Sequence, residues 1–442
     1  MLKTCCVFVA VLLSGFTCSA QSSPTSPGEF ELSLKTAIQI ASNSQQSTAV
    51  QRGEQIVNFA KSQYTQARAG LLPFLDGGVT EQNQTVSLKA LGLTSQLVPG
   101  VTFPASVGPF STFDVRIRMT QNILNLSTIR NLQAAARDIR VAKADDTTIR
   151  DQEAGHVAKL YAAALRAETE LQAAKANISL AEAVRDLALH KRSVGEGTDV
   201  EVARTKLDVA RHQQRLIAVE SELHQGYLEL INVLNLAWDS RLKLTGKLAI
   251  GSEDAPNVED AVRTALRWRS DLKGQEERVA SAKLRNTAAK LERLPSITGY
   301  GDYGLLSGEQ THVAGASLKI PLFDGGRMES DLAQTRSLMR QEEIKEKELR
   351  RRVEMEIRKI LDALASKRQQ VAVAEEAVSF AGDVLARAGR RYQAGVTNSI
   401  EMTDAQTQLE IAEDEQVAAL YDYTNARIDL AEAMGTITKL DF

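Results

Sequence analysis

Val194-Gly195-Glu196-Gly197-Thr198-Asp199-Val200-Glu201-Val202 returns 200 positions later as Ala394-Gly395-Val396-Thr397-Asn398-Ser399-Ile400-Glu401-Met402. In each copy a glycine-bearing turn separates two long stretches of helical periodicity. The repeating unit is nearly half of a 442-residue chain. That is far longer than a solenoid repeat, so it marks a duplicated half-molecule.

Outward from the turns the pattern is heptad-like. Before the second turn, Ile357, Leu364, Val371, Val378, Leu385 and Tyr392 fall at strict sevens; after it come Met402, Leu409, Gln416, Tyr423 and Leu430. Alanines at 405, 412, 419, 426 and 433 run three positions behind, and Val202, Val209, Leu216, Leu223 and Leu230 repeat the spacing in the first half. Sustained sevens specify coiled-coil packing, and alanine along one seam lets helix axes approach closely. A helix over 127–194 spans about 100 Å at 1.5 Å per residue. Each glycine turn then folds such a helix back as an antiparallel hairpin.

Further out the period changes. A helical pattern from Leu32 to about Gly70 stops at Leu71-Leu72-Pro73, and one from Val258 to Arg293 stops at Leu294-Pro295. Beyond each proline, apolar and polar residues alternate: Phe113, Val115, Ile117 and Met119 against Asp114, Arg116, Arg118 and Thr120; Ala314, Ala316, Leu318 and Ile320 against Gly315, Ser317 and Lys319. These are strands with one greasy and one wet face. Each half therefore carries a two-stranded hairpin, the first with a long loop over Ala90–Pro109, the second with a short one at Ser307-Gly308-Glu309. The fold class is mainly α with a small β part. The first repeat covers 32–237, with strands near 74–88 and 111–123 and its turn at 194–199. A connector follows at 238–257, then the second repeat at 258–436, with strands near 296–305 and 312–322, its turn at 394–399, and a tail at 437–442.

The N-terminus reads as a secretory signal peptide over 1–20: Lys3, an apolar run from Val7 to Leu13, and small residues at Thr17-Cys18-Ser19-Ala20. A Ser/Pro-rich leader at 21–31 follows. All three cysteines (Cys5, Cys6, Cys18) fall in the signal, so no disulfide framework remains. Acylation of Cys18 is the competing reading, although Gly15-Phe16-Thr17 fits a lipidation site poorly. Beyond the signal there is no run of 18 apolar residues that would make a transmembrane helix. A net charge of −3 argues against a nucleic-acid partner, and 5% aromatic content suits long Ala/Leu/Glu/Arg-rich helices better than an enzyme. The five histidines show no ligand spacing, and neither a phosphate-cradling loop nor a nucleophile elbow is present; no cofactor or metal is expected.

Four amphipathic strands cannot close a barrel, and an open edge in lipid leaves backbone groups unpaired at several kcal/mol each. Strands of about ten residues do match an outer-membrane crossing. The physical solution is a cyclic oligomer sharing one barrel; three chains would give twelve strands and an open lumen. The same rotation gathers the long helices into a tube.

With these features the chain resembles the TolC family of outer-membrane efflux and secretion channels. The likeness is carried by Ile320-Pro321-Leu322-Phe323-Asp324-Gly325-Gly326-Arg327, by Arg391-Tyr392-Gln393-Ala394-Gly395, and by Ser399-Ile400-Glu401-Met402-Thr403-Asp404-Ala405, with Gln121-Asn122-Ile123-Leu124-Asn125 as a degenerate first-half copy. The resemblance implies a homotrimer with a twelve-stranded barrel in outer-membrane lipid and a helical tunnel across the periplasm. A periplasmic adaptor and an inner-membrane transporter would be its partners. It also implies roles for particular residues. Glu401 and Asp404, at i and i+3 on one helix face, correspond to acidic positions at the periplasmic constriction. Tyr392 and Glu201 correspond to gate partners, although Thr397 stands where some relatives carry a gate arginine. Gly195, Glu196 and Thr198, with Gly395, Val396 and Thr397, form tips that meet the adaptor. Arg116, Arg118 and Lys319 are expected to face the barrel lumen, since the opposite strand face is apolar. The competing reading is a periplasmic adaptor or structural coiled-coil protein without a pore; alternating strands inside both halves argue against it, since an adaptor needs only one coiled-coil hairpin.

Overall fold

The computed structural model describes residues 29–43, 47–92, 103–250 and 255–440. The expected signal peptide, most of the leader and the centre of the Ala90–Pro109 loop lie outside the described residues.

Two very long helices run the length of the molecule: α3 (Leu126–Ser193), 68 residues, and α7 (Arg327–Gln393), 67 residues. At 1.5 Å per residue each is about 100 Å long. Each turns back at its glycine into a return helix of 35 residues, α4 (Asp199–Val233) and α8 (Ser399–Ala433). Nearer the strands, α2 (Thr48–Ala69) lies against α3, while α6 (Ser270–Leu291) packs between α3 and α7. The heptad residues do bury: Ile357, Leu364, Val371 and Tyr392 on α7 are inside, as are Val202, Val209 and Leu230 on α4.

Helix entry is specified locally. Asn125 accepts the Thr128 N–H at 3.0 Å to open α3, and Asp324 accepts from Gly326 (3.1 Å) and Met328 (2.7 Å) to open α7. Both caps stand at corresponding points of the repeat.

The sheet at the far end has the order β2 (Phe74–Val86), β3 (Val107–Leu124), β5 (Ser296–Leu306), β6 (Glu309–Lys319), all neighbours antiparallel. β3 starts at Val107, inside the segment read as loop. Ser307 (φ 51°) and Gly308 (φ 94°) make the two-residue turn between β5 and β6, a left-handed pair that matches strand twist.

Three expectations need correction. The two N-terminal helical patterns are not continuous: α1 (Leu34–Ala41) is separate from α2, and α5 (Val258–Trp268) from α6. In the second half the break is at Arg269, in extended backbone, whose guanidinium is held by Asp271 at 2.9 Å and Glu356 at 2.7 Å. The leader does not run to 31, because β1 (Glu29–Leu32) pairs in parallel with β4 (Arg241–Leu244) inside the connector. Nor is the start of the tail loose: Ile437–Lys439 forms a short 3-10 turn with Ile437 fully buried, while 441–442 lie outside the described residues.

These corrected pieces build a belt around the waist. One core gathers Leu32, Leu34, Ile38, Tyr161, Leu230, Leu234 and Ile437; another gathers Ala261, Ala265, Leu272, Val353, Ile357 and Tyr423. Tyr161 is the peg of the first, donating to the Leu32 carbonyl at 3.0 Å and accepting from Gly246 N–H at 3.0 Å. A third, small core lies near the turns: Val184, Ala388, Tyr392, Met402 and Ala405.

Candidate functional site

The strand register sorts the sheet into two faces. Arg116 opposes Gly78 and Gly304, Arg118 opposes Asp76 and Asp302, and Lys319 opposes Ser296, so Arg116, Arg118 and Lys319 share one face, with Thr80, Thr112, Asp114 and Thr298. Leu75, Val79, Phe113, Ile117, Met119, Tyr303, Leu305 and Leu318 occupy the other, where all are exposed. The arginines are not free cations. Arg116 pairs with Asp114 at 2.5 Å, and Arg118 with Asp302 at 3.1 Å. Alternation found the arginines; their partner Asp302 comes from the other half of the chain, and nothing in the local pattern points to it. At the strand–helix junction Leu322 and Phe323 stand 92% and 89% exposed, an apolar collar directly below the sheet.

At the opposite end the two turns have the same backbone. Glu196 N–H bonds the Lys191 carbonyl at 2.9 Å and Gly195 N–H the Arg192 carbonyl at 3.1 Å; Val396 and Gly395 repeat this on Arg391 (3.0 Å) and Tyr392 (3.2 Å). These are Schellman endings, which need a left-handed residue at the glycine, and φ is +82° at Gly195 and +71° at Gly395. Thr198 then accepts from Glu201 N–H at 3.2 Å to cap α4, and Asn398 accepts from Ile400 N–H at 3.1 Å to cap α8. Gly195, Glu196, Thr198, Gly395 and Val396 are exposed, and Thr397 is half-buried.

The side chains at the two turns diverge. In the second, Glu401 receives the Arg391 guanidinium at 2.9 Å and the Thr397 hydroxyl. Asp404, one turn on, is exposed and makes no ion pair among the described residues. In the first, Arg192 pairs with Asp199 at 2.6 Å, while Lys191 and Glu201 both reach across to the second hairpin. Lys191 donates to the Tyr392 carbonyl, its ammonium 4.0 Å from the centre of the Tyr392 ring. Glu201 accepts the Ser399 N–H at 3.1 Å. Tyr392 lies beside Glu201, and its buried hydroxyl makes no hydrogen bond of ordinary geometry. Burial, and then the charge of Glu201, hold that hydroxyl well above the usual tyrosine range, so it stays neutral. Sequence reasoning missed Lys191 and Arg391; the signal available was their alignment at corresponding positions of the repeat.

Above the turns a polar layer crosses the bundle. His212 is buried with Asp208 and Glu410 each 3.9 Å away and the Gln406 amide at 3.3 Å. Burial raises the carboxyl groups of Glu413 and Asp414 on the same helix above the usual range. No group of three or more His, Cys, Asp or Glu among the described residues is arranged to hold a metal ion, and no described helix is long and apolar enough to cross a membrane.

The profile of the outer membrane efflux protein family matches residues 40–236 and 261–436, most of the chain. The chain belongs to that family. Its two matched blocks are the two repeats, each ending at a return helix. The pyoverdine export outer membrane protein OpmQ of Pseudomonas putida is 25% identical over 415 residues, covering 91% of this efflux-family chain and 85% of the relative. The toluene efflux pump outer membrane protein TtgF of Pseudomonas putida is 25% identical over 388 residues, covering 83% and 76%. Among solved structures, CusC superposes with a TM-score of 0.76 at 16% identity over 92% of this chain and 93% of the other. The open-state MtrE channel of Neisseria gonorrhoeae gives 0.75 at 18% over 91% and 88%.

Proposed function

We propose that this chain assembles as a homotrimer into an exit duct that spans the periplasm and the outer membrane and carries small molecules out of the cell. The observation that carries the reading is the four-stranded sheet with two open edges, one apolar exposed face and one polar face, set at the end of helices about 100 Å long. A sheet with those edges needs neighbours in lipid, and cyclic sharing of strands supplies them. The helices support the same symmetry. α4 carries a second exposed apolar row, Val200, Leu207 and Ile217, away from its buried seam, and α7 carries Val373, Phe380 and Val384. These rows point away from the seams packed within the chain, so they call for a neighbour from another copy.

In this assembly Arg116, Arg118 and Lys319 line the barrel lumen, balanced by Asp114 and Asp302, while the apolar face meets lipid. At the other end Glu401 and Asp404 ring the constriction, with Tyr392 and Glu201 as gate partners. Since Arg391 neutralises Glu401 from the side, Asp404 is the carboxylate free to act on passing ions. The exposed tips around Gly195 and Gly395 dock a periplasmic adaptor, and energy comes from an inner-membrane transporter. The export of pyoverdine and toluene by relatives supports small-molecule cargo for this chain. The sheet argues against a pore-free adaptor, which has no use for a lipid-facing surface.

The test is extraction followed by planar-bilayer recording. The expected result is a protein that needs detergent, runs as a trimer on cross-linking and gives discrete conductance steps. Protein that stays in solution without detergent and never conducts would overturn the duct.

A further inference from the structure

We infer that Lys191 is the positioning residue of a latch with which the first hairpin of each chain holds the tip of the second; the inference rests on the duct reading above for its effect on conduction, not for its geometry. The corresponding residues of the repeat are Lys191 and Arg391, and Glu201 and Glu401. In the second tip this cation and anion close on one another at 2.9 Å. In the first tip the same pair is opened, and each charge goes to a helix end of the neighbouring hairpin. Lys191 sits on the last-turn carbonyl of α7, where backbone dipoles leave negative charge. Glu201 sits on the first N–H of α8, where they leave positive charge, at 3.1 Å. Both signs are right.

Lys191 is only 8% exposed, so its bonds are made largely out of water. The Tyr392 ring, 4.0 Å from the ammonium, serves as the cushion that makes a buried lysine tolerable. The cation sought at position 397 thus comes from the other hairpin. Releasing Lys191 frees the α7 end of the turn from α3 and leaves the α8 end held by Glu201 of α4 through a single N–H.

The three cysteines all lie within the first 20 residues, so the rest of the chain is clean for labelling. Spin labels at Val194→Cys and Val396→Cys, on exposed tip positions, report the distance between the two tips when labelled chains are diluted in unlabelled protein. Lys191→Met is expected to lengthen and broaden that distribution and to raise resting bilayer conductance about ten-fold; Lys191→Arg is expected to restore both. An unchanged distance distribution in Lys191→Met overturns the latch, whatever the conductance does. A lengthened distribution with no conductance in any variant keeps the latch and counts against the duct. Should Lys191→Met fail to assemble, Glu201→Val cuts the other arm and must lengthen the same distance; if it does not, the latch is wrong.

Discussion

The two hairpin tips share a backbone down to the hydrogen bond and share almost nothing else. Both end in the same Schellman turn, with φ of +82° and +71°, and both return through 35 residues. Yet where the first has Arg192, exposed and paired with Asp199, the second has Tyr392, buried to 1%. Where the first has Arg204, the second has Asp404; where the first has Gln213, the second has Glu413. Duplication preserved what the chain needs in order to turn, and left free what the tip presents. The first copy became the holder and the second the held.

The largest expected break in that symmetry is at the corresponding pair 192 and 392. Tyr392→Ala should cost about 3–5 kcal/mol in chemical denaturation, since it empties the small core of Val184, Ala388 and Met402. Arg192→Ala should stay within about 0.5 kcal/mol. Equal losses at the two sites would mean that the tips are not specialised. The glycines test the shared part instead: Gly195→Val and Gly395→Val should each cost about 1–2 kcal/mol and to the same degree, because both φ values are left-handed and neither site has an atom that a Cβ would meet. A large difference between them would show a constraint on one turn beyond its backbone.

A smaller effect sharpens the charge assignment. Arg391→Gln frees Glu401 and should raise the cation-over-anion permeability ratio about two-fold, while Asp404→Asn should lower it by a similar factor. Reversal potentials in asymmetric salt read both, and no change in either variant would return these groups to an ordinary solvated helix face. The smallest effect is at Glu413. Burial raises its carboxyl above the usual range, so the stability tied to that proton is full below the unfolded-state value and lost as pH rises through the raised one. Glu413→Gln, which copies the first repeat, should therefore raise the thermal midpoint by about 1 °C at neutral pH and give no gain near about pH 4. A destabilised Glu413→Gln at neutral pH would contradict the sign.

What was legible in the sequence is what is written locally. Sevens along α4 and α7, glycines at the left-handed positions, prolines at the helix–strand changes and alternation in β3 each depend on residues a few places apart. The polar face of β3 followed from parity alone, and the register later put Lys319 on the same side. The rest depends on partners far off in the chain. Asp302 neutralises Arg118 across 184 positions, and Lys191 meets Tyr392 across 201. β1 was hidden for a related reason: Glu29-Phe30-Glu31-Leu32 alternates over only four residues, too few to separate a strand from a leader, and its partner Arg241–Leu244 lies more than 200 positions away. Aligning the repeat against itself would have raised Lys191, since cation and anion recur together there; it could not have said which copy turns its charges outward.

The parallel pair of β1 and β4 gives the first half a closure of its own. Its strands flank the first repeat, with Glu29 opposite Arg241, so closing it ties off a loop of the entire first half, whose entropic cost grows only slowly with length. Tyr161 then locks the knot from the middle of that loop, through Leu32 on one side and Gly246 on the other. The second half has no such clasp of its own among the described residues; Ile428 and Ala431 of α8 and Ile437 of the short 3-10 turn join the core that the first half mostly builds. A chain delivered N-terminus first therefore carries, in its first half, most of the core surface on which these second-half residues pack.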